Sequence, residues 1–338
     1  MAGDGAQSIR LEISQASIHD DKNLACVASW PRPAPKWGTK SVDEIDPDDL
    51  ARWNTPFDRD AVEFYVTASD YDSDEVEYEV DHDRLLVCSA AKWKLLETGF
   101  AIRSLCRLGS DLFGIGADDE LGVLRKGKWT SLMVEGDEAH EVKETAANVG
   151  SRIIAGARGG AVLELAAAGR KYRWSTLGKV DGDLYAVAGV EAEELYVGGV
   201  GGVHYNEAGR WRQVMRGFRG HVTALTVLAS GEVLAGTSTG ELWAGSAGGM
   251  KKVASDVTDK GGIGSVTRFA DVVFVAGKKL LRQGQRAFEP VELPGFVPRL
   301  SRELTPRLEV VGGRLWVIGP FGLWSSADGK SFAPFAWR

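Results

Sequence analysis

Leu195-Tyr196-Val197-Gly198-Gly199 is a short strand-forming run that closes on two glycines, and Gly202-Val203-His204-Tyr205 resumes the apolar pattern after a two-residue break. The same ending returns along the chain. It reads Leu112-Phe113-Gly114-Ile115-Gly116, Ile153-Ile154-Ala155-Gly156, Val233-Leu234-Ala235-Gly236, Phe274-Val275-Ala276-Gly277 and Trp316-Val317-Ile318-Gly319. The closing glycines, Gly116, Gly156, Gly199, Gly236, Gly277 and Gly319, lie 40, 43, 37, 41 and 42 residues apart. A period of that size predicts one four-stranded unit per repeat.

Working outward, each unit opens with an alternating apolar strand and continues past the glycine into a third strand, for example Leu121-Gly122-Val123-Leu124 or Gly322-Leu323-Trp324. A fourth strand carries Trp129, Trp174, Trp211, Phe288 or Phe332, with Met250 standing in once. Strands of four to six residues with period-two alternation, separated by Gly, Asp and Asn turns, match half-buried antiparallel sheet, and no segment sustains a helical apolar face. The recurrent glycine fits inner strands that converge on a narrow axis, where a missing Cβ permits close backbone approach.

The expected fold is therefore all-β, a β-propeller with units starting near residues 61, 101, 141, 183, 221, 262 and 306. Seven blades are expected over 61–338, with eight as the alternative. The first unit is the most diverged: Val62-Glu63-Phe64-Tyr65-Val66, Val76-Glu77-Tyr78-Glu79-Val80, Leu85-Leu86-Val87-Cys88 and Trp93 supply its four-strand rhythm. Residues 1–60 contain two strand-like runs, Ile9 to Ile13 and Leu24 to Trp30, and read as an N-terminal extension on the ring or as a partial blade.

Near the C-terminus, Trp324-Ser325-Ser326-Ala327-Asp328-Gly329-Lys330-Ser331-Phe332 resembles the Asp-box (BNR) turn, which joins the third and fourth strands of a blade in WD40- and YVTN-like propellers of that kind. Ser331 and Phe332 replace the Thr and Trp of the pattern, and one residue is missing before the aromatic. The resemblance implies a structural turn, with the Asp side chain accepting from nearby amides and Gly supplying the backbone angle. It brings no catalytic residues.

Bulk composition narrows the function classes. With 338 residues, 44% hydrophobic and 26% charged, the chain has the makings of a folded soluble protein. No run approaches the roughly 20 apolar residues that span a bilayer, and Met1 to Arg10 lacks the pattern of a secretory leader, so no membrane partner and a cytoplasmic location are expected. Cys26, Cys88 and Cys106 are odd in number and far apart, which fits small buried side chains better than disulfides or a zinc site. The net charge of −7 is uneven: residues 1–100 hold 21 Asp and Glu against 10 Lys and Arg, net −11, leaving +4 for the rest.

Little in the sequence points to catalysis. His19, His82, His140, His204 and His221 are scattered, with no pair at metal-ligand spacing, and His204 is expected to be packed or channel-lining. Gly198 to Gly202 lacks the following helix that a phosphate loop needs. No cofactor and no metal are expected. Two stretches stand out as partner-binding candidates. One is the acidic segment with Asp70, Tyr71, Asp72, Asp74, Glu75 and Glu77, whose alternate aspartates resemble a calcium loop but lack its glycine and its terminal Glu. The other is Gly209 to His221, where Arg212, Arg216 and Arg219 accompany Phe218 and Trp211.

The overall acidity argues against nucleic acid as the main ligand. The sequence thus points to a non-catalytic, protein-binding propeller with a basic protein partner, such as a bacterial toxin held by its immunity protein. The rival readings are a glycan-active hydrolase or lyase and a carbohydrate-binding propeller. Whether the axial channel gathers charged groups or is plugged by aliphatic ones separates them.

Overall fold

The computed structural model describes residues 12–18, 24–29, 31–33, 78–80, 84–89, 92–117, 120–135, 143–168, 171–190, 194–258, 261–294, 306–319 and 322–335. Antiparallel strands dominate them, with one 3-10 turn at Arg158–Gly160. Six sheets follow one another along the chain. Their first strands are Ser104–Leu108, Lys143–Val149, Leu184–Gly189, Val222–Val227, Ser265–Phe269 and Arg307–Val311. Their last strands are Lys128–Leu132, Lys171–Lys179, Arg210–Gln213, Gly249–Ala254, Phe288–Pro290 and Ala333–Pro334. Within each sheet the strands from first to last pair in chain order, with Val134–Glu135 added in parallel outside Lys171–Lys179, and the first strands of successive sheets touch one another around an axis.

Period-two alternation explains how the sheets are joined. Successive side chains of a strand point to opposite faces, so each second strand feeds two cores. Ile153 and Ala155 pack with Phe113 and Ile115 of the preceding sheet, whereas Ile154 between them packs with Leu195 and Val197 of the following one. Leu234 and its neighbours Val233 and Ala235 divide in the same way. The large fourth-strand residues sit in these inter-sheet cores: Trp174 is fully buried against the preceding sheet, Phe332 faces Phe274, and Met250 joins Tyr196 and Val203.

The blade count departs from expectation. Residues 61–338 give six continuous blades, neither seven nor eight. What stood as the first unit does not form a sheet by itself: Arg84–Ser89 and Lys92–Glu97 complete a four-stranded sheet whose other two strands are Glu12–Ile18 and Leu24–Ser29. Leu24 pairs with Cys88 and Ala28 with Arg84. Val62 to Val66 lies outside the described residues, and Tyr78–Val80 pairs instead with Pro31–Pro33 as a separate two-stranded sheet. The reason is physical: alternation marks a strand but not its partner, so two half-sheets separated by a long connection look like one weak unit plus an extension. The composite sheet closes the ring, since Ala16, Ile18, Leu24 and Cys26 share a core with Trp316, Ile318 and Leu323 of the last blade.

The glycines that revealed the repeat fall into two adjacent registers. Gly156 pairs with Thr145, Gly236 with Ala224, and their counterpart in the blade between is Gly198, paired with Ala186; Gly199 pairs with Leu184. In the sheets that end at Gly116, Gly277 and Gly319, the matching position holds Ile115, Ala276 and Ile318. At the first register, glycine makes room for the aliphatic residue that opens the next sheet. A Cβ on Gly156 would lie 2.8 Å from Cβ of Leu184, one on Gly198 would lie 2.6 Å from Val222, and one on Gly236 would overlap Ile263.

The turn after Ser326 behaves as its resemblance implies. Asp328 Oδ1 accepts from the amides of Lys330 and Ser331 at 2.8 and 2.9 Å and from the Ser326 hydroxyl at 3.0 Å, and Gly329 takes φ +69°. These donors, the Ser331 amide first, hold the Asp328 carboxyl down to about 2.

Candidate functional site

Antiparallel succession sorts the connections. First strands all run the same way, so the links between second and third strands and those between successive sheets share one face. Backbone bonds tie the two kinds of link together there, as in Val180 N to Gly160 O and Ser238 N to His221 O. This face carries a polar chain around the channel mouth. Glu144, opening one inner strand, accepts from Arg103 at 2.9 Å and from Arg158. Asp183 accepts the Gly159 amide at 2.8 Å and meets the Tyr185 hydroxyl at 3.5 Å. The Tyr185 ring lies 4.9 Å from that of His221, whose amide donates to the Ser238 hydroxyl at 3.1 Å. Burial, with Asp183 and Glu144 adding to it, raises the Tyr185 pKa, so the phenol stays a neutral donor.

Of the expected site residues, the structure brings three together and sets one apart. Arg216, Phe218 and Arg219 share the connection that follows the fourth blade strand Arg210–Gln213. Arg216 is exposed, Phe218 packs over Gly202, and Arg219 pairs with the fully buried Glu241 at 3.1 Å. Burial would raise the Glu241 pKa; the donors Lys252, Arg219 and Trp243 outweigh it and hold the carboxyl at about 2. Arg219 thus anchors the loop and leaves less of its charge for a partner. Arg212 is elsewhere, on the outer strand, bonded to Glu207 at 3.2 Å and to the Ala247 carbonyl at 2.7 Å. Asp70, Tyr71, Asp72, Asp74, Glu75 and Glu77 lie outside the described residues, within the connection from Leu24–Ser29 to Arg84–Ser89. His204 is packed, not channel-lining; burial lowers its pKa.

Among the described residues, no side chain plugs the axial channel. It has a volume of about 430 Å³, and its walls come from the inner strands of the six blades and of the composite sheet. Small and aliphatic side chains such as Ala146, Ala186 and Ala224 share those walls with Arg107, Arg307 and Glu309. The inner strands' free edges are covered by neighbours. Ser104 accepts the Ala146 amide, Ser265 the Leu308 amide, and Thr226 donates to the Val266 carbonyl. Asn148 grips both backbone groups of Arg107. Among the described residues no group of three His, Cys, Asp or Glu side chains is gathered to hold a metal.

No motif in the chain marks Arg103, Glu144, Arg158, Arg107, Arg307 and Glu309. The signal available was charge on alternate residues of first strands, as in Arg307 and Glu309, which also describes any solvated sheet face.

No family model matches the chain, and no curated protein matches it by sequence. Solved structures do share its fold. The WD40 β-propeller domain of Doa1 is similar with a TM-score of 0.59 at 9% identity, over 94% of this chain and 96% of that one. The computationally designed Ika8 protein gives 0.52 at 13% identity, over 77% and 82%. YCF48 bound to D1 peptide gives 0.50 at 15% identity, over 69% and 80%. At such identities the likeness speaks for the architecture alone, which is a β-propeller.

Proposed function

We propose that this chain is a non-catalytic protein-binding propeller that receives a basic protein partner on the face bearing Arg103, Glu144, Asp183 and Tyr185. The observation that carries the reading is where the negative charge enters. Residues 30–83, which link the second and third strands of the composite sheet, hold 16 Asp and Glu against 5 Lys and Arg, net −11. That is the whole acidic excess of the first hundred residues, and the two strands it joins, Leu24–Ser29 and Arg84–Ser89, are the second and third of their sheet, as are the strands joined on the face of the polar chain. A field of that sign speeds the approach of a cationic protein and repels polyanions. A similar structure, that of YCF48 bound to D1 peptide, supports protein recognition on such a scaffold. Toxin neutralisation by an immunity protein is one role that fits a tightly sequestered basic partner.

The carboxylates nearest the channel mouth are engaged: Glu144 by two arginines and Asp183 by a backbone amide. Among the described residues, neither Glu144 nor Asp183 is thus left free to serve the hydrolase reading. The test uses the partner isolated by affinity capture. The triple variant Asp72→Asn, Asp74→Asn, Glu75→Gln keeps shape while removing three charges. It should slow association several-fold and flatten its salt dependence, with dissociation little changed. An unchanged association rate and salt slope would sink the basic-partner reading.

A further inference from the structure

The channel holds chemistry that partner docking on the face does not use. Arg107, on the inner strand Ser104–Leu108, is fixed by Asn148, whose side-chain oxygen accepts its amide at 2.7 Å and whose side-chain nitrogen donates to its carbonyl at 2.5 Å. Its Nε is buried with no hydrogen-bond partner among the described residues. A guanidinium N–H left so is a donor awaiting an acceptor. Arg307 lines the same cavity from the last blade; it stays wetted by the channel although it sits deep within the ring, and burial lowers the pKa of both guanidinium groups.

Only one carboxylate among the described residues lines the cavity, that of Glu309. It is turned toward the seam with the composite sheet, where the Ile18 amide donates to it. Among the described residues the lining thus carries two arginines and one carboxylate, inside a protein that is acidic overall. The cavity volume of about 430 Å³ suits a small metabolite and excludes a folded partner. Arginine presents a planar fork of donors that matches two oxygens of a carboxylate or phosphate.

We propose that the axial channel is a binding site for a small organic anion bearing carboxylate or phosphate groups, held by Arg107 and Arg307. The site is independent of the face that takes the protein partner, so its test needs no partner and its failure leaves that reading untouched. Succinate and inorganic phosphate serve as probes, each titrated calorimetrically into the full chain at constant ionic strength set with chloride. The wild type should bind one equivalent of at least one probe, and which probe binds separates a carboxylate from a phosphate preference.

Arg107→Gln and Arg307→Gln should each weaken binding about tenfold or more, in keeping with loss of a charge-assisted bond. Glu309→Gln should tighten it several-fold by removing the competing negative charge. Lys251→Gln, exposed on the outer strand Gly249–Ala254, should change it less than about twofold. Circular dichroism and melting establish which variants fold; if Arg107→Gln does not, Arg307→Gln and Glu309→Gln decide alone. Absence of binding by both probes up to about 10 mM, or equal binding by the folded arginine variants, would overturn the proposal.

Discussion

The blade from Leu184 to Gln213 and the composite sheet contain the same four-stranded pattern but are assembled in opposite ways. In the former, every strand pairs with the next in the chain across short turns. In the latter, Leu24–Ser29 must find Arg84–Ser89 across residues 30–83. Yet both bury their centres equally: Leu85 is 0% and Leu195 1% exposed. The native contacts of the two are thus alike, and the difference lies in the chain entropy spent to bring them together. Such entropy grows slowly with loop length, about 0.6 kcal/mol for each doubling, so a long insertion is tolerable here.

The strongest way to break the comparison is to remove each part of the composite sheet in turn. Replacing residues 34–77 by a short Gly-Ser linker should leave a cooperative melt, shifted by only a few degrees. Deleting residues 1–29 should abolish cooperative melting, because Leu85, Trp316 and Ile318 would lose the core they share with the first two strands. Equal tolerance of both deletions would mean that the six continuous blades stand without the composite sheet.

A smaller effect sharpens the kinetic side. Leu85→Ala and Leu195→Ala should each cost about 2–5 kcal/mol in stability, measured by chemical denaturation. Their rates should differ: Leu195→Ala slows folding, whereas Leu85→Ala mainly speeds unfolding, since the long-range pairing forms late. Matching effects on the folding limb would show that the composite sheet forms with the nucleus.

The smallest effect sits at the seam between the two kinds of sheet. Burial pushes the Glu309 carboxyl up to about 7 from 4.5, against the pull of Arg307 and the Ile18 amide. A folded-state value above the unfolded one means that the fold retains a proton which the unfolded chain releases. Stability from this group is therefore full below about pH 4.5 and is lost as pH rises towards 7. Glu309→Gln should flatten that slope in melting temperature between those limits, by an amount that channel water keeps modest. A slope identical to the wild type would remove Glu309 from the seam's energetics.

What was legible in the sequence follows from the same contrast. The blades from residue 104 onward could be read because their alternation, glycines and fourth-strand aromatics all lie within one period. The Asp328 turn was legible because every bond it makes is local. The composite sheet was not, since Leu24 and Cys88 carry no mark that they pair. The channel residues stayed hidden for a related reason: Arg107 and Glu309 occupy alternate positions that look solvated in one dimension and become interior only when the inner strands of the blades and the composite sheet converge. The glycine register, one residue apart between blades, was blurred because both positions are adjacent in sequence and only pairing tells them apart.

The side chains that bridge neighbouring inner strands have a consequence for what can enter the ring. Ser104, Asn148, Thr226 and Ser265 occupy backbone groups that an exposed strand edge would offer to an incoming peptide. Where they sit, the bore is closed to β-augmentation. A guest in the channel is therefore recognised by side-chain chemistry, and extended segments of other proteins find no ladder there to join.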